Sequence, residues 1–274
     1  MTITRDQGVA TTTSTTATAF IGIGNMGEAI MAGALKGGLD PQRVHATARR
    51  RHHVERIATQ YGVTGGTDNR EAVTTAELVV VGVEPEQVAG VLDEIADALP
   101  STAVVVSLAA RVTTQELEAH LRQGSAVVRV MPNTPAQVGE GLAVLTPGLN
   151  CSEEQLQKVR DFFSLSGEVI VVPEEQQRAV GALSGTGPAH FFYVVDAMIE
   201  AGVAMGLRRD MARSVVVQTI VGAGALLRES GEHPVVLRER VTSPGGNTVA
   251  AMGELDERAV RAAFVSAMTG RFRR

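Results

Sequence analysis

Phe20-Ile21-Gly22-Ile23-Gly24-Asn25-Met26-Gly27 is the stretch on which the fold turns. A short apolar run leads into G-x-G-x-x-G, and the amphipathic residues 28–36 follow at once, so the motif stands in a strand–turn–helix setting. There the first glycine permits a tight turn, the second lets a pyrophosphate approach the backbone, and the third lets the helix pack on the strand. N–H groups at the helix N-terminus then hold the phosphates. Residues 22–27 therefore predict a dinucleotide site.

Outward from this loop, short apolar runs at residues 19–21, 44–46, 78–81, 103–106 and 126–128 alternate with helical patterns at 28–36, 52–61, 86–99 and 114–123. That alternation predicts a doubly wound parallel sheet. A strand at 143–145, a helix capped by Ser152 and a last strand at 169–172 complete it. From Glu174 the pattern becomes almost continuous helix: 188–206, 209–230, a short piece after Pro234, and Thr248 to the end. Helices such as 214–227 are apolar around most of their circumference, which predicts burial against a second copy. The expected organisation is a Thr-rich disordered leader over 1–16, a Rossmann-type domain over 17–172, and an all-helical dimerisation domain over 173–274.

Composition excludes several functions. The 274 residues carry 25 basic and 30 acidic side chains, net −5, so no footprint for nucleic acid or an acidic membrane surface is expected. With aromatics at 3 % and no Trp, a base-stacking platform is excluded. The lone Cys151 excludes an intrachain disulfide and a cysteine-rich metal site, and no bound metal is expected; the compartment reads as reducing and cytoplasmic. Asn150-Cys151-Ser152 is formally a glycosylation sequon, but residues 1–18 are too polar for a signal peptide. No window holds 18 uninterrupted apolar residues, so no membrane span is expected. Lys36 and Lys158 are the only lysines, and the other 23 basic residues are arginine.

At the end of the second strand, where a carboxylate would hold the ribose 2′-hydroxyl of NAD, the chain reads Thr47-Ala48-Arg49-Arg50-Arg51. Guanidinium groups favour a 2′-phosphate, so NADPH is expected over NADH. The alternative is three arginines opening an exposed helix, although cations at a helix N-terminus oppose the macrodipole. Val83-Glu84-Pro85 and Ser107-Leu108-Ala109-Ala110 end strands on the same sheet edge. Three further segments are unusual: residues 129–135, residues 183–189, and Val241-Thr242-Ser243-Pro244-Gly245-Gly246-Asn247-Thr248. The last reads either as a carboxylate-binding nest before a helix or simply as a turn and N-cap.

Taken in order, the Gly22 loop, Met131-Pro132-Asn133-Thr134-Pro135, Ser184-Gly185-Thr186-Gly187-Pro188-Ala189 and Thr242–Thr248 resemble the pyrroline-5-carboxylate reductases over nearly the whole chain after Ala17. The resemblance implies NAD(P)H-dependent reduction of a cyclic imine carboxylate, 1-pyrroline-5-carboxylate, to L-proline. It also implies an obligate homodimer with intertwined helical domains, often built further into a decamer. By matching position, Ile21, Gly22, Ile23, Gly24, Asn25 and Met26 would hold the pyrophosphate, Ala48, Arg49 and Arg50 the adenosine ribose and its phosphate, and Asn69 the adenine side. Val83, Glu84, Pro85, Leu108, Ala109 and Ala110 would line the nicotinamide half. Ser243, Gly245, Gly246, Asn247 and Thr248, supplied by the partner subunit, would receive the substrate carboxylate, and Glu174 matches a glutamate near the substrate. Thr248 would be the catalytic residue, orienting the ring nitrogen.

The chain departs from the family at His190, where an aromatic is usual, at Thr186, at Asn247, and at Arg258-Ala259-Val260, where a Gly-Gly-Phe type turn is common. His190 and Asn247, both expected to lie near the substrate and bind it, leave open a paralogue acting on a substituted pyrroline carboxylate or related cyclic ketimine; alternatively His190 is only a polar residue at a helix start. A β-hydroxyacid dehydrogenase would need a helix-borne lysine, and neither Lys36 nor Lys158 is placed for it. A noncatalytic NADP sensor would leave Thr242–Thr248 without a role.

Overall fold

The computed structural model describes residues 14–270, which form two compact units dividing after Thr186. Of the leader expected over 1–16, residues 1–13 lie outside the described residues. Ser14 already pairs with Leu39 in a parallel bridge, its N–H donating to Gly38 O at 2.9 Å.

Among the described residues of the first unit, eight strands make one sheet: β1 (Thr18–Ile21), β2 (Val44–Thr47), β3 (Thr64–Gly66), β4 (Leu78–Val81), β5 (Val104–Ser107), β6 (Ala126–Met131), β7 (Gly141–Pro147) and β8 (Gly167–Val171), in the order β3-β2-β1-β4-β5-β6-β7-β8. Its faces are covered by α1 (Asn25–Lys36), α2 (Arg51–Tyr61), α3 (Asn69–Val73), α4 (Pro85–Ile95), α5 (Thr114–Ala119) and α6 (Glu153–Ser164). Alternate residues of β1 point to opposite faces. Phe20 joins Ile30, Met31, Phe162 and Phe163 in one core, and Ile21 joins Val79, Leu92, Ile95 and Leu117 in the other.

The sheet is not parallel throughout. β1 to β6 run parallel, but β7 is antiparallel to β6, and β8 is parallel to β7. The reason is length: residues 132–140 hold only the 3-10 turn Thr134–Val138, too few for a crossover, whereas α6 carries the chain back between β7 and β8. β3 and α3 had no signature in the sequence. β3 is Thr64-Gly65-Gly66 with no apolar residue, and α3 is a five-residue helix capped by Asp68, whose side chain accepts from Glu71 N at 3.1 Å.

The first unit continues 14 residues past the expected boundary at 172. Glu174 is bound to Arg129, and Gln177 Nε2, from α7 (Gln177–Val180), donates to Val144 O at 3.1 Å and Thr146 Oγ1 at 2.8 Å, so this segment is fastened to the sheet.

The second unit contains α8 (Gly187–Ala204), α9 (Arg209–Ser230), α10 (Pro234–Arg240), α11 (Asn247–Glu257) and α12 (Val260–Gly270). The helix expected from Thr248 onward is broken in two, because Ala259 takes the left-handed φ of 55°. α8 and α9 meet where Gly202 faces Ala212; a Cβ on Gly202 would stand 3.0 Å from Ala212 Cβ. Among the described residues of this unit only Gly187, Gly202, Ala212 and Val216 are buried. By length and composition α9 is also long and apolar enough to cross a membrane, although charged and polar residues interrupt its apolar run.

Candidate active site

The glycine-rich loop joins β1 to α1 between the C-terminal ends of β2 and β4, where strand order reverses. Gly22 has φ 69°, and a Cβ there would overlap Val83 Cγ1, so glycine is obligatory. Gly24 caps α1 without a side chain, and a Cβ on it would find nothing nearer than Gly82 O at 4.0 Å. The protein itself leaves that space free, as backbone N–H groups receiving a pyrophosphate require. Gly27 is less constrained than its motif position suggests, since a Cβ would meet only Ile23 Cγ1 at 3.4 Å. The tight helix approach lies farther along, at Gly33, where a Cβ would overlap Ala136 O. Ile21 and Ile23 turn their side chains into the core, Met26 packs on it partly buried, and Asn25 is exposed.

The end of β2 is tied to this loop by Thr47, whose importance sequence reasoning missed. Its buried hydroxyl lies 2.7 Å from Asn69 Oδ1 and accepts from Gly22 N at 3.2 Å, while Ile23 N donates to Thr47 O at 2.8 Å. The only signal available was a polar residue ending an apolar strand. Asn69 Nδ2 in turn donates to Glu94 Oε2 at 3.0 Å, placing Asn69 half-buried beside the β2 end.

Beyond Thr47, Ala48 is half-buried, and Arg49, Arg50 and Arg51 are exposed. Arg50 is the N-cap of α2, which has no side-chain cap and no acidic residue in its first turn. Among the described residues none of the three guanidiniums has an ion pair or hydrogen bond. Arg56 in the same helix, by contrast, grips both oxygens of Glu28 at 3.0 and 2.7 Å and holds that carboxyl below its usual range. His53 Nε2 donates to Ile23 O at 3.0 Å, joining the arginine turn to the glycine loop. An open glycine cradle beside three unpaired cations fits a dinucleotide with an added phosphate.

On the other side of β1, Val83 packs against Gly22, Glu84 stands at the N-cap position of α4 without a side-chain cap, and Pro85 opens its first turn. Leu108 N donates to Val81 O at 3.0 Å and Ala109 N to Ser107 Oγ at 3.3 Å; Leu108 and Ala109 are buried, and Ala110 is exposed.

Asn133 is used within the fold: its Oδ1 accepts from Leu142 N at 2.9 Å and its Nδ2 donates to Ser184 Oγ at 3.1 Å. Residues 181–185 form a π turn closed by Thr186 N donating to Gly181 O at 3.2 Å. Pro188, which has no N–H to donate to Ser184 O, follows in the first turn of α8. His190, in the first turn of α8, has a buried Nδ1 without a hydrogen-bond partner. Glu174 is engaged by Arg129 Nη1 and by Thr114 N at 3.2 Å.

In the loop before α11, Gly246 N donates to Ser243 O at 3.0 Å around Pro244 and the left-handed Gly245, φ 72°. A Cβ on Gly246 would stand 2.6 Å from Ser243 Oγ. α11 has neither a side-chain cap nor an acidic residue in its first turn. Among the described residues the side chains of Ser243, Asn247 and Thr248 make no hydrogen bond, which leaves these groups and the first N–H groups of the helix available to an anion.

This architecture, a sheet opened by a glycine-rich dinucleotide loop and followed by a helical region, is that of a nicotinamide-dependent oxidoreductase. Residues 17–111 match the model of the family described as NADP oxidoreductase, coenzyme F420-dependent, and residues 174–274 match that of pyrroline-5-carboxylate reductase dimerisation. The pyrroline-5-carboxylate reductase of Corynebacterium melassecola is 40 % identical over 92 % of this chain and 94 % of its own length; that of Escherichia coli is 35 % identical over 91 % and 93 %. The solved pyrroline-5-carboxylate reductase from Coxiella burnetii superposes with TM-score 0.85 at 36 % identity, covering 94 % of this chain and 97 % of that one. The Plasmodium falciparum enzyme, solved with NADP bound, also reaches 0.85 at 25 % identity, covering 94 % and 95 %. The chain belongs to the pyrroline-5-carboxylate reductase family.

Proposed function

We propose that this protein reduces 1-pyrroline-5-carboxylate to L-proline with NADPH as the preferred donor, as a cytoplasmic homodimer. The observation that carries the cofactor choice is the unpaired Arg49-Arg50-Arg51 turn beside the open Gly24 cradle. Bound there, NADPH supplies a hydride to the imine carbon. The protein's own work is alignment, since a cyclic imine protonated near neutral pH needs no general base. The 243–248 loop offers N–H groups and hydroxyls to the substrate carboxylate, and one copy's loop serves the cofactor unit of the other. Thr248 orients the ring nitrogen and is a hydrogen-bond partner rather than an acid, a hydroxyl being a poor proton donor at pH 7. Cys151 is free, and burial pushes its thiol up to about 11, which keeps it protonated and outside the chemistry. Dimers assembling further into a decamer would show in the mass from light scattering.

NADPH oxidation with 1-pyrroline-5-carboxylate, run beside NADH, tests the reading; a better rate with NADH would overturn the arginine argument. Thr248→Ala should lose about 100-fold in kcat with NADPH affinity unchanged. Unchanged catalytic efficiency would remove Thr248 from the mechanism.

His190 and Asn247, which depart from the family pattern, motivate a second reading, in which the pyrroline ring carries a polar substituent. A preference above about tenfold for a substituted pyrroline carboxylate, the selectivity of roughly one good hydrogen bond, would establish it.

A further inference from the structure

Glu174, expected near the substrate from the resemblance, is instead paired with Arg129. Arg129 lies on β6 directly beside Ser107, the last residue of β5, and its side chain is only 7 % exposed. A charge so placed is expensive unless paired, and its Nη1 is paired to Glu174 Oε1 while its Nε stays buried without a partner. The second carboxylate oxygen of Glu174 accepts from Thr114 N at 3.2 Å. Thr114 opens α5, and its N–H is one that the helix cannot satisfy; the capping residue Thr113 spends its hydroxyl on Glu116.

Between Ser107 and Thr114 runs the loop of Leu108, Ala109 and Ala110. It contains Arg111 at φ 68°, a left-handed conformation that costs a non-glycine residue about 1–2 kcal/mol. Such a shape persists only when its surroundings hold it. One end is fixed by Leu108 N on Val81 O, and the other by Glu174 on Thr114 N. Buried ion pairs add little net stability compared with apolar replacements, so the gain from this one is geometric.

We propose that Glu174, seated by Arg129, is a positioning residue that holds the 108–113 loop in the shape required against the nicotinamide half of the cofactor, rather than a substrate contact. The inference rests on the proposed function for the identity of that half. Glu174→Gln keeps an acceptor but removes the charge. It should lower kcat about 10- to 100-fold, as a displacement near 1 Å does, with NADPH affinity and the KM for the imine within threefold. Amide exchange over residues 108–114 in the NADPH complex should quicken at least tenfold. The double variant R129M/E174M, which leaves no unpaired charge, should regain the parental melting temperature yet keep the low kcat and fast exchange. Parental kcat and exchange in that double variant would overturn the proposal. So would an E174Q enzyme whose only defect is a raised KM for the imine. Absence of imine turnover in the parent would instead sink the proposed function, and the exchange measurement would still decide this inference.

Discussion

The two units spend similar apolar side chains in opposite ways. In the first, Phe20, Phe162, Phe163, Leu92 and Ile95 are closed between a sheet and its helices; in the second, Phe191, Phe192 and Tyr193 are 64, 65 and 79 % exposed. The glycines repeat the contrast. A Cβ on Gly33 or Gly141 would collide with neighbours, whereas one on Gly222, Gly224 or Gly253 would touch nothing within 4 Å in the chain itself. A sheet supplies a wide surface against which helices complete a core, but a few helices apolar on every side leave one face over, and that face suits a second copy. The match of this region to a dimerisation family agrees with such a division of labour.

The hardest blow to the contrast would be a charge on the uncovered face. Val221 in α9 is 59 % exposed, so Val221→Asp costs the single chain little, but a buried, unpaired carboxylate would break a dimer. Sedimentation should show monomers, with activity down more than about 100-fold (about 2.7 kcal/mol) and NADPH binding within threefold. Parental mass and activity would mean that this face is not the interface.

Glycine substitutions sharpen the same point. Gly33→Ala should cost about 2–3 kcal/mol of stability, read as a lowered melting temperature, because backbone on both sides resists the overlap with Ala136 O. Gly224→Ala should change chain stability by less than about 1 kcal/mol and act, if a copy packs there, on the dimer dissociation constant. Equal losses of stability in both would erase the distinction between the units.

A functional form of the comparison lies at the α2 turn. Replacing Arg49 or Arg50 by Ser should raise the KM for NADPH about tenfold, one charge-assisted contact being worth about 1.5–3 kcal/mol when buried and less here, with NADH kinetics unchanged. Steady-state kinetics with both donors reads this directly; parallel losses would assign the arginines to the helix rather than the phosphate.

The smallest effect is expected at Ala259, whose φ of 55° separates α11 from α12. Ala259→Gly should raise stability by about 1 kcal/mol, since glycine takes that conformation without strain. A lower melting temperature would show that the alanine methyl makes a contact worth more than the strain.

Much of the first unit is legible from short-range patterns. The Gly22 loop, the alternating runs and the Ser152 cap, whose hydroxyl accepts from Gln155 N at 3.2 Å, lie where periodicity and capping chemistry put them. β3 escaped because Thr64-Gly65-Gly66 has no apolar alternation; its place comes from pairing with β2 and from Val54 and Ala58 packing over Gly65. In the site, the cofactor loops were visible as motifs, but Thr47 was not, because one hydroxyl joining Gly22 to Asn69 is a relation between residues distant in the chain.

By itself, then, the order of residues determined most of the strands and helices, though not β3, α3 or the break at Ala259, that a glycine loop opens the sheet, and that the last hundred residues are apolar helix in want of a partner. Each depends on neighbours within a turn or two of chain, where backbone sterics and side-chain periodicity act. Only the tertiary structure decided that β7 reverses direction, that Glu174 is committed to Arg129 and Thr114, and that Gly33 rather than Gly27 takes the tight helix contact. Those outcomes depend on how far a connection can reach and on which buried groups must find partners, and both are settled only when remote segments come together.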